Sequence, residues 1–376
     1  MILDALIVGG GPSGSTVAAL LARRGLDVTI VEKAEFPRRK VCGEYISATT
    51  WPILEELGVA AQLAAHAGPP VERVGFFARD VAIDAPMPAP SQPQAWGRAI
   101  GREILDAALL EKAAQDGARI LQPVSVEAVR REGDGFAATV AGETLRARRI
   151  VLACGSWERG PFTPRTAARP GDLLGFKARF ARAELPSGLM PLVLFPGGYG
   201  GLVHTDQAEV SFSCCIRRDA LSAARHQHRG GAGEAVLAHA MAHGRAIRET
   251  LGGAERIGPW LSAGPIRPGI RRIVEGGIAR VGNAAGEAHP LVAEGISMAI
   301  QSGWLLARHW EDPEAYVRAW RETFAARIRA SSLFAALTVP PLPSRASIAV
   351  LQRSPAVLTW GARWSGKARI PQPRAA

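Results

Sequence analysis

The segment that decides the fold covers residues 2–32 and reads ILDALIVGGGPSGSTVAALLARRGLDVTIVE. It opens with apolar, branched residues typical of a buried parallel strand, and three consecutive glycines follow at positions 9–11. Residues 13–24 then have the apolar spacing of a helix, and residues 28–31 are a second apolar strand. The segment therefore predicts a strand, a glycine turn, a helix and a second strand that ends at an acid, Glu32.

The glycine turn fits the pattern G-x-G-x-x-G. Gly9 permits the tight turn, Gly11 lets the backbone approach a pyrophosphate, and Gly14 lets the helix pack close to the strand. The N–H groups of the first helical turn face the phosphates, and Glu32 accepts ribose hydroxyls and disfavours a 2′-phosphate. The alternative is an ordinary βαβ unit with an accidental glycine turn. We predict dinucleotide contacts from Gly9, Gly11, Pro12, Ser13, Gly14 and Glu32.

Composition narrows the class of protein. The chain has 376 residues, of which 47% are hydrophobic, and a net charge of +11. Residues 321–376 hold nine basic residues and one acid, but no nucleic-acid-binding motif accompanies them, so no nucleic-acid partner is expected. No stretch of about 18 apolar residues predicts a membrane span, and the first strand leaves no room for a secretory signal. The expected location is the cytoplasm.

The cysteines support the same location. There are four in the chain, which is typical of a reducing compartment. Cys214 and Cys215 are adjacent on a predicted strand and would face opposite sides of it, so we expect structural burial rather than a redox pair. No Cys/His spacing fits a metal site, and no metal is predicted.

Three separated stretches carry a resemblance to a family. Besides the first turn, residues 36–44 read FPRRKVCGE, and residues 282–303 contain GNAAG, Pro290, EGI and SG in that order. The chain thereby resembles FAD-dependent oxidoreductases related to geranylgeranyl reductases, para-hydroxybenzoate hydroxylase-like aromatic-ring hydroxylases and flavin-dependent halogenases. Residues 36–44 are similar to the Lys-x-Cys-Gly loop of the reductases, and residues 282–303 to the family's second flavin motif.

The resemblance implies an α/β fold of two domains. A Rossmann-like FAD-binding domain of the glutathione-reductase type is expected at residues 1–70, 98–160 and 266–330. An inserted antiparallel-sheet substrate domain is expected at 71–97 and 161–265, followed by a helical, basic C-terminal segment at 331–376. FAD is expected to bind non-covalently. Because no second dinucleotide fingerprint is visible, NAD(P)H would dock transiently as the reductant. The protein is expected to be a monomer or a homodimer.

The second flavin motif also has a physical reading. Its helix, predicted from Ile296, would direct its N-terminal N–H groups and dipole at the reduced flavin, although an ordinary strand–turn–helix is the alternative. Asn283 stands where the family has aspartate, which removes a charge near the cofactor. Arg102 begins a predicted helix and matches an arginine that relatives place against FAD; the alternative is a surface contact. The further cofactor residues implied are Lys33, Arg39, Arg102, Val126, Gly155, Gly282, Asn283, Pro290, Glu294, Gly295 and Ile296.

The catalytic candidates are Lys40, Cys42, Glu44, Tyr199 and His289. Cys42 is either a gate or proton donor beside the flavin, or a small loop residue. Lys40 and Glu44 either face the substrate or are solvated loop charges. Tyr199 is either a hydrogen-bond donor to the pocket or a core residue, and His289 either approaches the flavin ring or packs elsewhere.

The remaining segments are predicted to form the substrate pocket. Strands are expected near 174–181, 192–195, 200–204 and 209–217, and helix from 233 to 251. Residues 196–201, PGGYGG, resemble the reductases' Pro-Gly-x-Tyr-x-Trp, with a glycine where an aromatic is usual. That glycine would widen the pocket. The C-terminal segment is either a helix that covers the cavity or a basic amphipathic anchor at a membrane surface.

The resemblance implies a geranylgeranyl reductase-like enzyme that transfers hydride between flavin N5 and an apolar or aromatic substrate. The first alternative is an NAD(P)H-dependent monooxygenase that hydroxylates an aromatic or polyketide-like compound of secondary metabolism. A halogenase is disfavoured, because the sequence has no Trp-x-Trp-x-Ile-Pro motif. An alternative of another class is a non-catalytic lipid- or protein-binding protein on the same fold.

Overall fold

The computed structural model describes residues 2–90, 96–155, 167–205, 209–228, 230–338 and 345–367. Its strands are β1 Leu3–Val8, β2 Val28–Val31, β3 Tyr45–Ile46, β4 Arg73–Ala78, β5 Val81–Pro86, β6 Arg98–Ala99, β7 Arg119–Leu121, β8 Val126–Glu132, β9 Gly135–Val140, β10 Glu143–Leu152, β11 Leu173–Ala181, β12 Leu189–Phe195, β13 Gly198–His204, β14 Glu209–Arg217, β15 Glu255–Ile266, β16 Gly269–Ile270, β17 Val274–Glu275, β18 Ile278–Arg280 and β19 Gly286–Glu287.

Its helices are α1 Pro12–Arg23, α2 Trp51–Leu57, α3 Ala60–Ala65, α4 Arg102–Gln115, α5 Arg218–Gln227, α6 Ala232–His243, α7 Arg245–Leu251, α8 Gly295–Arg308, α9 Pro313–Thr338, α10 Arg345–Arg353 and α11 Ala356–Ala362. Single helical turns lie at Ala48–Thr50, Gly282–Ala284, Pro290–Val292 and Arg363–Lys367.

The first sheet has the strand order β17-β18-β10-β1-β2-β7, and the β8–β9 hairpin joins it through β10. Strands β18, β10, β1, β2 and β7 are parallel. Side chains of β1 alternate between two cores: Ala5 and Ile7 pack with α1, α4 and α8, whereas Leu6 and Val8 pack with the hairpin. Both faces are therefore buried, and the turn after β1 opens at the carboxyl edge of the sheet.

The second sheet has the strand order β15-β11-β14-β13-β12-β4-β5. Its pairs are antiparallel except for β12 and β4. One face, with Phe180 and Phe212, packs against α5–α7. The other face contributes Phe76 and Tyr199 to a separate cluster that includes Ile348 of α10.

The fold class predicted from the sequence is confirmed, with local corrections. The sequence also predicts a strand at 121–126, which is wrong: β7 ends at Leu121 and β8 begins at Val126, because Pro123 has no N–H for a continued ladder. It further predicts two strands, at 144–148 and 149–153, where the structure has the single strand β10. The helix expected from 233 to 251 is two helices that meet at Gly244. The proposed domain boundaries remain a prediction.

Candidate active site

A cavity of about 1070 Å³ lies between the glycine turn of the first sheet and the open face of the second. It brings together most of the residues singled out in the sequence. Those that line it are Gly9, Gly11, Pro12, Ser13, Glu32, Lys40, Cys42, Glu44, Arg102, Gly155, Tyr199, Asn283, His289, Pro290, Gly295 and Ile296.

The three motif glycines of the first turn have different surroundings. Gly9 has φ +109°, and a Cβ there would lie 2.7 Å from the carbonyl oxygen of Ala153. A Cβ on Gly14 would lie 2.0 Å from the oxygen of Gly9, so this glycine permits the contact between helix and strand. A Cβ on Gly11 would meet no atom within 4 Å. Gly11 therefore faces open cavity, where a ligand can approach the backbone.

Glu32 is fixed at the end of β2. Its side chain is buried, and Oε2 accepts a 2.8 Å hydrogen bond from the N–H of Gly10. Oε1 accepts a 2.9 Å bond from the N–H of Ala34, and the Arg38 guanidinium lies 3.7 Å from the same oxygen. A carboxylate has about four acceptor positions, so Glu32 retains capacity for hydroxyl donors in the cavity.

The second motif positions the N-terminus of α8. Gly282, with φ +58°, packs against Ser13, to whose Oγ a Cβ would come within 2.8 Å, and so joins the two motifs. Helix α8 begins at Gly295 without a side-chain cap, and a Cβ there would meet no atom within 4 Å. The first-turn N–H groups of α8 thus face the cavity. Glu294 is buried behind them and accepts a bond of 3.2 Å from Ser47 Oγ.

Asn283 has an acidic neighbour that the sequence analysis missed. Its Nδ2 donates a 2.9 Å hydrogen bond to Oε1 of Glu287, which is buried and also lines the cavity. Arg271 lies 3.4 Å from the other oxygen of Glu287. The negative charge that Asn283 lacks is thus supplied by Glu287, four residues later in the sequence. An acid at that position was the feature of the sequence from which this neighbour could have been found.

Several predicted cofactor residues do not line this cavity. Lys33 is exposed, and Arg39 is exposed with its Nε 3.9 Å from Glu103; the lining includes Arg38 instead. Val126 is buried in the core beneath the first sheet. Gly14, Gly282 and Glu294 lie behind the residues that line the cavity.

Arg102 lies at the cavity wall and is held in place by its own helix. Its guanidinium donates two hydrogen bonds to Asp106, from Nε at 2.7 Å and from Nη2 at 2.6 Å. Burial lowers the pKa of Arg102, but the Asp106 carboxylate and Cys42 outweigh it, and the net pKa is raised above its usual value. Arg102 therefore presents a permanent positive charge next to Cys42.

The loop that carries Cys42 is tied to the second sheet through Glu44. Glu44 has φ +60° and is completely buried, so it is not a solvated loop charge. Its Oε1 contacts Lys177 Nζ, accepts a 2.8 Å bond from Arg179 Nη2 and accepts one of 3.3 Å from the N–H of Arg102. Its own N–H donates to Cys42 Sγ at 3.4 Å. Sequence reasoning did not find Lys177 or Arg179, which are both buried on β11.

The charges of this cluster determine its protonation. Burial raises the pKa of Glu44, but the charges and hydrogen bonds of Lys177 and Arg179 outweigh burial and hold it below its ordinary value. Burial lowers the pKa of Lys177, with Glu44 opposing that shift. Glu44 is thus an anion at neutral pH and fixes the loop electrostatically.

Tyr199 and His289 form a hydrogen-bonded pair in the cavity wall, with Tyr199 Oη 3.3 Å from His289 Nδ1. Burial lowers the pKa of His289 to about 4 and raises that of Tyr199 well above its usual value. Both side chains are therefore neutral at pH 7. The N–H of Leu291 also donates to Nδ1, at 3.4 Å, which assigns the ring proton to Nε2. Cys214 and Cys215 are buried, as expected.

The far end of the cavity is apolar. Its lining includes Val74, Phe76, Met190, Leu192, Leu202, Leu333, Phe334, Leu351, Leu358 and Trp360. The glycine at the position of the usual aromatic is Gly201, and a Cβ there would meet only the oxygen of Pro191, at 3.6 Å. An aromatic at 201 would project into this space.

Within the described ranges, no group of three or more His, Cys, Asp or Glu side chains is placed to hold a metal ion. No helix in them has both the length and the apolar character needed to cross a bilayer.

Known proteins are similar to this chain over part or most of its length. Residues 3–156 match the family model of the FAD binding domain. Menaquinone reductase of Mycolicibacterium smegmatis is 35% identical over 156 residues, which is 41% of this chain and 37% of that protein. Ubiquinone hydroxylase UbiL of Rhodospirillum rubrum is 25% identical over 327 residues, covering 81% of this chain and 72% of the other. The flavin-dependent brominase Bmp2 superposes with a TM-score of 0.77 at 18% identity, over 98% of this chain and 94% of that one.

Proposed function

We propose that this chain, whose residues 3–156 match the FAD binding domain, transfers hydride between FAD and a carbon–carbon bond of an apolar organic substrate. It would act as a reductase or dehydrogenase similar to the geranylgeranyl reductases. One observation carries the proposal: a single cavity joins the two flavin motifs to an apolar chamber of the second sheet.

The residues present fit FAD. Gly11 and Gly295 leave open space against the backbone, Glu32 retains acceptor capacity, and the N-termini of α1 and α8 carry no side-chain caps. When bound, FAD supplies the hydride acceptor or donor. Asn283 and Glu287 would contact its polar chain, and the dipole of α8 would stabilise negative charge at its pyrimidine end.

The chamber indicates the class of substrate. Its side chains are mainly aliphatic or aromatic, so it favours a molecule that transfers readily from water to an apolar site. Two of the relatives are named for reactions of isoprenoid quinones, menaquinone and ubiquinone. We therefore propose a lipid-like, unsaturated substrate of this kind.

When hydride is added to one carbon of the substrate's carbon–carbon bond, the other carbon takes up a proton. Residues of this chain can supply that proton. Cys42 lines the cavity beside Arg102, and its thiol is one donor that could supply this proton. Tyr199 and the neutral His289 provide a second route, because Nδ1 accepts the hydrogen bond from Tyr199 Oη–H and leaves His289 Nε2–H as the donor to the cavity. Lys40 also lines the cavity, where it would attract an anionic group of the substrate.

Hydroxylation by an NAD(P)H-dependent monooxygenase is the second candidate, favoured by the similarity to a ubiquinone hydroxylase over 81% of this chain. Halogenation is not proposed: the Bmp2 likeness, at 18% identity, supports only the fold, and the Trp-x-Trp-x-Ile-Pro motif is missing from the sequence. A non-catalytic binding protein would share this architecture but would take up no flavin.

The first test is the visible absorption spectrum of the purified protein before and after anaerobic NAD(P)H. Flavin bands that bleach support both the cofactor and NAD(P)H as reductant. Protein that contains no flavin, and takes up none from added FAD, would refute the proposal in favour of the binding protein.

The second test compares turnover of a short-chain menaquinone with and without air, followed by product mass. A change of two hydrogens under both conditions supports hydride transfer. A gain of one oxygen that requires air supports the monooxygenase.

A further inference from the structure

The exposed apolar side chains of this molecule are concentrated at one place. Six large ones lie within residues 333–364, with exposures of 45–64%: Leu333, Phe334, Val350, Val357, Trp360 and Trp364. In the rest of the described chain, only Ile2 and Ile270 belong to this class. Isolated exposed apolar residues are normal, but a contiguous group marks a surface for binding.

Five of these six residues also line the cavity, so they form its outer edge. We call Leu333, Phe334, Val357, Trp360 and Trp364 the apolar rim. The two tryptophan rings are stacked, with centroids 6.2 Å apart and planes 18° apart. Helix α11 is attached to the second sheet, because Thr359 Oγ1 donates a 2.6 Å bond to the oxygen of Pro86. The rim is therefore part of the folded structure and surrounds the way into the apolar chamber.

The surroundings of the rim are positively charged. Arg329, Arg353 and Arg363 are exposed on α9, α10 and the turn after α11, and we call them the basic flank. Across residues 321–376 the chain has nine basic residues against a single acid, Glu322. The exposed guanidinium groups of the basic flank thus suit this surface to an anionic partner.

We propose that the apolar rim and basic flank dock on an anionic phospholipid bilayer, with the cavity mouth turned toward the acyl chains. Tryptophan favours the boundary between headgroups and hydrocarbon, while arginine pairs with phosphate above it. A lipid substrate would then pass from the bilayer into the chamber without crossing water. The charge of the flank and the stacked tryptophans at the mouth favour this occupant over a second copy, whose own flank carries the same charge.

The test is flotation of the full-length protein with vesicles of phosphatidylcholine, alone or mixed with phosphatidylglycerol. We expect binding to the anionic vesicles that weakens as salt is raised. W360S/W364S should reduce binding at least tenfold at every salt concentration. R353Q/R363Q should reduce it about fivefold per arginine at low salt and much less at high salt.

Two controls match these variants. I270S replaces an exposed apolar residue outside the rim, and R119Q/R225Q replaces exposed arginines on β7 and α5. Neither should change vesicle binding. All substituted side chains are exposed, so melting temperatures should stay near that of the wild type. Quenching of wild-type tryptophan fluorescence by brominated lipid supplies a readout that needs no variant.

The proposal is overturned if the protein floats with neither vesicle, or if the controls reduce binding as much as the rim variants. It is also overturned if sedimentation shows a dimer that W360S/W364S dissociates while vesicles bind nothing, because a second copy then covers the rim. Vesicle binding is measured without turnover, so its outcome is independent of the proposed hydride transfer.

Discussion

Gly11 and Gly14 are three residues apart in one turn, but the reasons that each must be glycine are different. The space missing beside Gly14 is occupied by protein, the oxygen of Gly9, whereas the space beside Gly11 belongs to the cavity. One position is required by the fold and the other by a ligand. The sequence motif predicts this division of roles, and the structure shows which atoms surround each glycine.

Alanine at each position separates these two requirements. G14A should destabilise the protein by at least about 1–3 kcal/mol, because its Cβ overlaps backbone that cannot move aside. G11A should leave the free energy of unfolding within about 1 kcal/mol of wild type and weaken FAD binding at least tenfold. Urea denaturation of the apoprotein and titration with FAD measure the two effects. Equal loss of stability in both variants would contradict this assignment.

The sequence did not show which of two neighbouring arginines faces the cavity. The family resemblance pointed to Arg39 in a loop with two adjacent arginines, and the structure places Arg38 at the cavity. An irregular loop has no fixed period, so spacing alone does not determine which of two consecutive side chains faces a site. The glycines of the first turn were predictable, because a strand and a helix on either side fix their geometry.

Strand β11 carries its charged residues on the face that is directed at the loop of Glu44. Its sequence, LLGFKARFA, was expected to form a strand, but Lys177 and Arg179 at alternate positions are the usual pattern of a solvated face. Their partner Glu44 is 135 residues from Arg179 in the chain and lies on a loop. Long-range pairing of this kind leaves no local trace in a single sequence.

Replacing Glu44 tests the cluster. E44Q should lower the free energy of unfolding by about 3–5 kcal/mol at pH 7, because it leaves Lys177 buried without its counter-charge, whereas Arg179 keeps Glu103 and Glu209. The control is E255Q, which breaks an exposed pair with Arg182 and should change stability by no more than about 1 kcal/mol.

The pH dependence of stability gives a second readout. The pKa of Glu44 is lower in the folded than in the unfolded protein, so its stabilisation is complete above the unfolded value of about 4.3. That stabilisation is lost as the pH falls through the folded pKa. Denaturation curves between pH 7 and 3 should therefore decline less steeply below about pH 4.3 in E44Q than in the wild type. Parallel curves would show that Glu44 does not carry the effect.

At the scale of the whole molecule, the cavity depends on the contact between two sheets and the C-terminal helices. The resemblance predicted both sheets, and a helix that covers the cavity was one of two predictions for the C-terminal segment. It did not predict the cavity's shape, which follows from side chains of distant segments such as Phe76, Leu202 and Leu358. Gly201 is the exception, since a missing aromatic could be recognised in the sequence.

Filling the cavity at Gly201 tests its role as the substrate chamber. G201F should fold with nearly wild-type stability, because the new side chain begins in open space, but should weaken binding of an apolar dye such as Nile red at least tenfold. G200A is the comparison: its Cβ would lie 2.8 Å from Phe212, so it should lose stability instead. Dye titration and thermal denaturation distinguish the two. Unchanged dye affinity in G201F would place the binding chamber elsewhere.

The parallel pairing of β10 with β18 also dictates when the protein can capture its cofactor during synthesis. About 126 residues separate Leu152 from Ile278, an interval of roughly 10 s on the ribosome. During that interval, the face of α1 that later packs against α8 is uncovered. In the folded protein, Gly303 closely approaches Ser13 on this face. The glycine turn thus leaves the ribosome well before α8, and the site that it serves is completed only after α8 has followed.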